Sequence, residues 1–374
     1  MLYLGALQEV IMVEPRPELS KLSDYVPGKS IEEIRERFGL TSVVKLASNE
    51  NPLGASPKAV AAFHEIADSL HLYPRGDAPK LIDAIAEKFG VRKSQVVIGN
   101  GSDEIIDMVG KAFIRQGDNC VAITPTFSVY KFTTLSNGAD FVGVGEGDGK
   151  TGLADLAAVV NAKTRVAFIC NPNNPTGLYY SEKEIRDFMA KVPASVLVFV
   201  DEAYAEFATA ADYPEMSKLL AEYPNLFVNR TFSKIYGLAG LRVGYAMANE
   251  AVISAMWKIK PPFDVNQAAQ VAAIAALGDV DHVNATRKLN ADGCAVLTRA
   301  FEGFGFKVLP TQGNFICVHI GERAKELVAF LEQNGMIVRG LTSFGLPEHI
   351  RVTIGKPEEN EFLVELVKKW TVSG

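Results

Sequence analysis

From about residue 40 the chain alternates short apolar runs with longer stretches of helical period. The runs VVKLA, QVVIG, CVAIT, FVGV, RVAFIC, VLVFV, LFVN and VGYAMA are mostly apolar along their whole length instead of alternating. A strand apolar on both faces must be covered on both, which is the condition of a largely parallel sheet. The intervening patterns, such as PKLIDAIAEKFG and SDEIIDMVGKAFIRQG, are apolar at i, i+3 and i+4 and read as covering helices. The second is expected to open on a Ser-Asp cap and to end at Gly117. Strands alternating with helices place the chain in the α/β class.

With 374 residues the chain exceeds the ~250–300 at which one core stops growing, so a large and a smaller domain are expected. Helical stretches from about Val265 to Leu277 and from His282 to Phe304 precede a change of pattern. FKVLP, NFICVHI, MIVRG and HIRVTIG then surround one helix, ERAKELVAFLEQNG, as in a small α+β domain. SIEEIRERFG lies before the large-domain strands and is expected to join that small domain. The division expected is a large domain over 41–280, a small one over 13–40 and 281–374, and a flexible extension over 1–12.

A net charge of −6 argues against a nucleic-acid footprint, which would be basic. A hydrophobic content of 48% and a mean hydropathy of +0.10 describe a soluble globular chain, and no apolar run approaches the ~18 residues of a membrane span. Cys120, Cys170, Cys294 and Cys317 show no C-x-x-C spacing and read as reduced thiols of a cytoplasmic protein. The five histidines have no metal-ligand spacing, so no metal is expected. MLYLGALQEVIMVEPRPE holds Glu9 and Glu14 and no basic region, which argues against a secretory signal.

In open α/β sheets ligands sit beyond the carboxyl ends of the strands, and five strand ends here carry unusual polar groups. After VVIG, Asn100-Gly101-Ser102-Asp103-Glu104 opens a helix, whose free N–H groups suit an anion such as phosphate. After CVAIT comes Pro125-Thr126-Phe127; an aromatic there can stack on a flat ring, but such a residue more often packs in the core. After RVAFIC, Asn171-Pro172-Asn173-Asn174-Pro175-Thr176-Gly177 stiffens a turn through two X-Pro units and holds an asparagine amide at the sheet edge. After VLVFV comes Asp201, whose burial is costly unless a cation such as a protonated pyridine nitrogen pairs with it. Tyr204 follows on the next turn. After LFVN, Thr231, Ser233 and Lys234 precede Gly237-Leu238-Ala239-Gly240-Leu241-Arg242. A desolvated lysine is a usable amine nucleophile, and two hydroxyls with an arginine suit a phosphate.

Together these groups match what pyridoxal phosphate requires: a Schiff-base lysine, an acid for the ring nitrogen, donors for the ring oxygen, a stacking aromatic and an anion cradle. Competing motifs fail. GVGEGDGKTG has Val144 where a P-loop needs glycine and Asp148 at the last glycine of G-x-G-x-x-G, and it reads as a solvated turn. No G-x-S-x-G is present, and Ser233-Lys234 lacks the S-x-x-K spacing.

Across nearly its whole length the chain resembles the fold-type-I pyridoxal-phosphate aminotransferases, and more narrowly the histidinol-phosphate aminotransferase family. DYVPGKS, KLASNENPLGASP, LYPRG, NGSDE, NPNNPTG, DEAY, TFSK, LAGLRVGY and FGLPEHIRVTIG carry the likeness. It implies a mostly parallel seven-stranded sheet covered by helices, plus the small α+β domain. It further implies that Lys234 holds the cofactor and moves the proton between the substrate Cα and the cofactor. Asp201 would pair with the ring nitrogen, Tyr204 and Asn174 with the ring oxygen, and Phe127 would stack, where the family more often has tyrosine. Ser102, Asp103, Thr231, Ser233 and Arg242 would surround the phosphate. Tyr73, in LYPRG, matches a tyrosine that family dimers insert into the neighbouring subunit's site, so a homodimer is implied. Arg351, Arg339 and Tyr25 match positions that take the substrate's acidic groups, with Asn174 beside them.

The reaction implied is transfer of an amino group between L-histidinol phosphate and 2-oxoglutarate in two ping-pong halves. The same motifs leave open an aromatic amino-acid aminotransferase and a threonine-phosphate decarboxylase.

Overall fold

The computed structural model describes residues 14–22 and 28–373; the expectations for residues 1–12 and for Tyr25 fall outside them. In chain order the strands are Val44–Lys45 (β1), Val96–Gly99 (β2), Asn119–Ile123 (β3), Asp140–Val144 (β4), Thr164–Cys170 (β5), Leu197–Asp201 (β6), Leu226–Thr231 (β7) and Gly244–Ala248 (β8). Lys307–Val308 (β9), Phe315–His319 (β10), Met336–Ile337 (β11), Arg339–Gly340 (β12) and His349–Thr353 (β13) follow.

Seven strands form one sheet in the order β2-β8-β7-β6-β5-β3-β4. β8 runs antiparallel to both neighbours and the other pairings are parallel, so the sheet is mostly parallel as expected. Alternate residues feed two separate cores. Val121, Ala167, Ile169, Val198 and Val200 point to the side covered by Pro79–Phe89, Glu182–Met189 and Gln267–Leu277. Ala122, Val166, Phe168, Phe199 and Phe227 point to the side covered by Ser102–Phe113, Val129–Ser136 and Glu250–Ile259. Burial on both sides is the physical reason these strands are apolar throughout.

One strand expected in this sheet lies elsewhere. VVKLA contributes β1, which pairs parallel with β11, Val44 opposite Met336. Leu46 packs into the C-terminal core with Met336, Ile350 and Val352. A short apolar run gives no sign of which sheet it joins. The helix expected to reach Gly117 ends at Phe113.

The second sheet is antiparallel, in the order β12-β13-β10-β9, with Val280–Gly303, Ala324–Gln333 and Pro357–Ser373 packed on its apolar face. Ile350 and Val352 of β13 enter that core, so the period-2 alternation turns His349, Arg351 and Thr353 to the opposite face. GVGEGDGKTG ties the two sheets together, because Asp148 pairs with Lys307 at 2.7 Å and approaches His349 at 3.4 Å. All four cysteines are unpaired. Among the described residues no helix is long and apolar enough to cross a membrane, and no group of three or more His, Cys, Asp or Glu is arranged to hold a metal ion.

Candidate active site

The polar strand ends converge because β2, β3, β5, β6 and β7 all finish at the same edge of the sheet, where the antiparallel β8 begins. Ser102, Asp103, Phe127, Asn174, Asp201, Tyr204, Thr231, Ser233, Lys234, Arg242, Arg339 and Arg351 line a single cavity of about 580 Å³.

At one end lies an anion cradle. The helix Ser102–Phe113 has no side-chain cap, which corrects the expected Ser-Asp cap: Gly101 occupies the capping position and Ser102 is already helical. Gly101 has φ +84, and a Cβ there would lie 2.5 Å from Nη2 of Arg242. A Cβ on Gly244 would lie 2.8 Å from the Ser102 nitrogen. The two glycines let the arginine and β8 close on a helix N-terminus whose N–H groups favour a bound anion. Arg242 is itself left-handed, at φ +54, and its Nη2 lies 3.3 Å from Asp103. Thr231 Oγ1 donates to Ser233 Oγ at 3.0 Å and accepts from the Ser233 N–H at 3.1 Å.

In the middle stand the titratable groups. Lys234 is half-buried, and its Nζ donates to the Ser48 carbonyl at 3.0 Å. Burial first, then the positive charge of Arg351, lowers its pKa to about 8. Asp201 is buried with no cation beside it among the described residues. Its Oδ2 accepts from the Tyr130 hydroxyl at 2.7 Å, and its Oδ1 accepts from Asn229 Nδ2 and the Ala203 N–H, each at 3.2 Å. Burial outweighs these donors and raises its pKa to about 6. Tyr204 is fixed edge-on to Phe315, with centroids 5.2 Å apart, and Asn49 Nδ2 donates to its hydroxyl at 2.9 Å. Burial pushes this phenol up to about 12. Asn174 sits on a loop braced by Asn173, whose Nδ2 donates to the Pro125 carbonyl at 3.0 Å and to Thr176 Oγ1 at 2.8 Å.

The other wall comes from the second sheet. Arg351 is 6% exposed; it donates to Asn174 Oδ1 and, at 2.7 Å, to the Ala47 carbonyl. Its Nε has no partner among the described residues. Arg339 lies directly across the β12–β13 pair from Arg351, so two guanidinium groups share one wall. Beside them Lys29 Nζ donates to Glu332 Oε2 at 2.6 Å. Tyr73 does not line this cavity; it is 83% exposed and stacks on Phe263 at 4.8 Å. Tyr130, Asn229, Asn49 and the Lys29–Glu332 pair went unnoticed in the sequence. Of these, Asn49, inside KLASNENPLGASP, and Lys29, inside DYVPGKS, lie in segments that carried the likeness.

The description "Aminotransferase class I and II" fits a family model matching residues 41–367. A histidinol-phosphate aminotransferase of Brevibacillus brevis is 43% identical over 96% of this chain and 98% of its own length. The chain therefore belongs to the histidinol-phosphate aminotransferase family. Histidinol-phosphate aminotransferase 2 of Pseudomonas fluorescens is equally similar, 43% identical over 96% of this chain and 98% of its own. The crystal structure of histidinol-phosphate aminotransferase from Sinorhizobium meliloti in complex with pyridoxal-5′-phosphate superimposes with a TM-score of 0.88. It is 26% identical and covers 96% of this chain and 97% of its own.

Proposed function

We propose that this protein transfers an amino group between L-histidinol phosphate and 2-oxoglutarate, with pyridoxal 5′-phosphate held in the cavity at the sheet edge. The observation that carries the reading is the convergence of Lys234, Asp201, an uncapped helix N-terminus and two arginines on one cavity. The residues fit the cofactor. A buried carboxylate without a cation suits a protonated ring nitrogen, and the cradle of Gly101, Ser102 and Arg242 suits a phosphate. Tyr204 and Asn174 would meet the ring oxygen, and Phe127 would face the ring.

When bound, pyridoxal phosphate supplies an electron sink for negative charge at the substrate Cα. Lys234 Nζ, whose pKa is lowered to about 8, is in its neutral form the base that takes the Cα proton and returns it. Asp201 holds the ring nitrogen protonated. Arg351 and Arg339 receive the substrate's anionic group, a carboxylate in glutamate and a phosphate in histidinol phosphate, and a planar guanidinium binds either bidentately. Asn174 holds Arg351 in place.

We also infer a homodimer in which Tyr73 reaches the neighbouring site. Leu70, Leu72, Tyr73 and Phe263 are all exposed on the outer surface, an apolar group that suits coverage by a partner. We propose a large unit of 41–280 and a small one of 13–40 and 281–374; the separate cores support it, except that β1 and Leu46, within 41–280, pack with the small unit. We place the activity in the cytoplasm, in keeping with four unpaired cysteines.

The test is a comparison of histidinol phosphate, phenylalanine and threonine phosphate, each offered with 2-oxoglutarate. The expected result is the highest kcat/KM on histidinol phosphate. A preference for phenylalanine above about tenfold, ~1.4 kcal/mol of discrimination, would overturn the assignment, as would release of CO2 from threonine phosphate. Lys234→Ala is expected to lose the visible cofactor band and all turnover; an unchanged band would remove Lys234 from its role.

A further inference from the structure

The acid proposed to meet the ring nitrogen does not stand alone. Tyr130 lies in the helix Val129–Ser136 behind Phe127 and is fully buried. Its ring stacks on Phe168 at 4.8 Å and meets Phe127 edge-on at 5.7 Å. This packing aims one polar atom, the hydroxyl, at Asp201 Oδ2 from 2.7 Å. The other oxygen takes Asn229 Nδ2 and the Ala203 N–H. A carboxylate facing three donors is favoured as an anion, because the charged form accepts every one of them.

We propose that Tyr130 is a positioning residue, whose hydroxyl fixes the Asp201 carboxylate as an anion directed at the ring nitrogen of the bound cofactor. The inference rests on the reading of Asp201 as that nitrogen's partner. Burial and the neighbouring carboxylate push the Tyr130 phenol far above its ordinary range, so it remains a donor at every working pH. The same hydrogen bond opposes the rise that burial imposes on Asp201. Loss of the hydroxyl leaves the aspartate easier to protonate, and a neutral carboxyl no longer pairs with a pyridinium. Phe127 and Tyr130 thus act as one unit: the first faces the ring, and the second secures the group that charges it.

Tyr130→Phe keeps the ring packing and deletes only the donor. The cofactor-free full chain would be titrated by fluorescence with pyridoxamine 5′-phosphate, which forms no bond to Lys234. A parallel titration would use its 1-deaza analogue, in which C–H replaces the ring nitrogen. The expected result is that Tyr130→Phe weakens pyridoxamine 5′-phosphate about tenfold or more, the scale of a hydrogen bond to a charged group. The affinity for the deaza analogue should change less than about twofold, since it has no charged nitrogen to lose. Equal weakening of both ligands assigns Tyr130 a packing role and overturns the proposal, as does unchanged affinity for both. If the unaltered chain binds neither ligand, the cofactor reading fails, and this proposal falls with it.

Discussion

Asp201 and Lys234 each carry a charge that the cofactor-free fold disfavours. For Asp201, held near pH 6 against an ordinary 3.8, the cost at pH 7 is roughly 3 kcal/mol. The raised value means that the cost is present above pH 6 and is relieved as pH falls from 6 towards 3.8. For Lys234, lowered to about 8 from 10.5, the cost is present below 8 and is relieved as pH rises from 8 to 10.5. Asp201→Asn is therefore expected to raise the melting temperature of the cofactor-free protein at pH 7 while weakening cofactor binding, a trade of stability for function. Calorimetry showing a lower melting temperature would contradict it. Because only the neutral amine is nucleophilic, attachment of pyridoxal phosphate should accelerate with pH through a midpoint near 8; a stopped-flow midpoint above 10 would refute this. Arg339→Ala should lower kcat/KM for histidinol phosphate about tenfold more than for phenylalanine, the weight of one charge-assisted hydrogen bond. Equal losses would make Arg339 structural.

At the level of elements, the cofactor phosphate is assigned to a helix start kept open by two glycines. Any side chain at Gly101 meets a strained φ of +84 and the Arg242 guanidinium. Gly101→Ala is expected to cost about tenfold or more in cofactor affinity, with the far-ultraviolet circular dichroism unchanged because the helix itself is intact. Wild-type affinity would argue that the phosphate binds elsewhere. Much of this element was legible in the sequence: the Gly-Ser-Asp at a strand end and the paired hydroxyls before Lys234 are local patterns. The expectation of a Ser-Asp cap failed because Gly101 takes the capping position, close against Arg242, which is distant in sequence and adjacent in space. Tyr130 and Asn229 were equally hidden, since a tyrosine inside a helical pattern reads as core until Asp201 is placed against it.

For the whole molecule, the proposed dimer makes a prediction that no single subunit can mimic. Tyr73→Ala and Lys234→Ala should each be nearly inactive alone. Mixed after subunit exchange, they should recover about a quarter of the wild-type rate, because half the dimers then hold one complete site. No recovery despite proven exchange would confine Tyr73 to its own subunit.

Apolar strands with polar C-terminal ends were enough to determine an α/β sheet and a row of chemically distinct groups along one edge. Those are local properties, set by side-chain periodicity and backbone direction. Only tertiary structure decided that β1 leaves the large sheet for β11, that Arg339 and Arg351 share one wall, and that Tyr130 secures Asp201. Each is a pairing between segments far apart in the chain. Such contacts are selected by shape and burial when the cores close, and no short stretch of sequence encodes them.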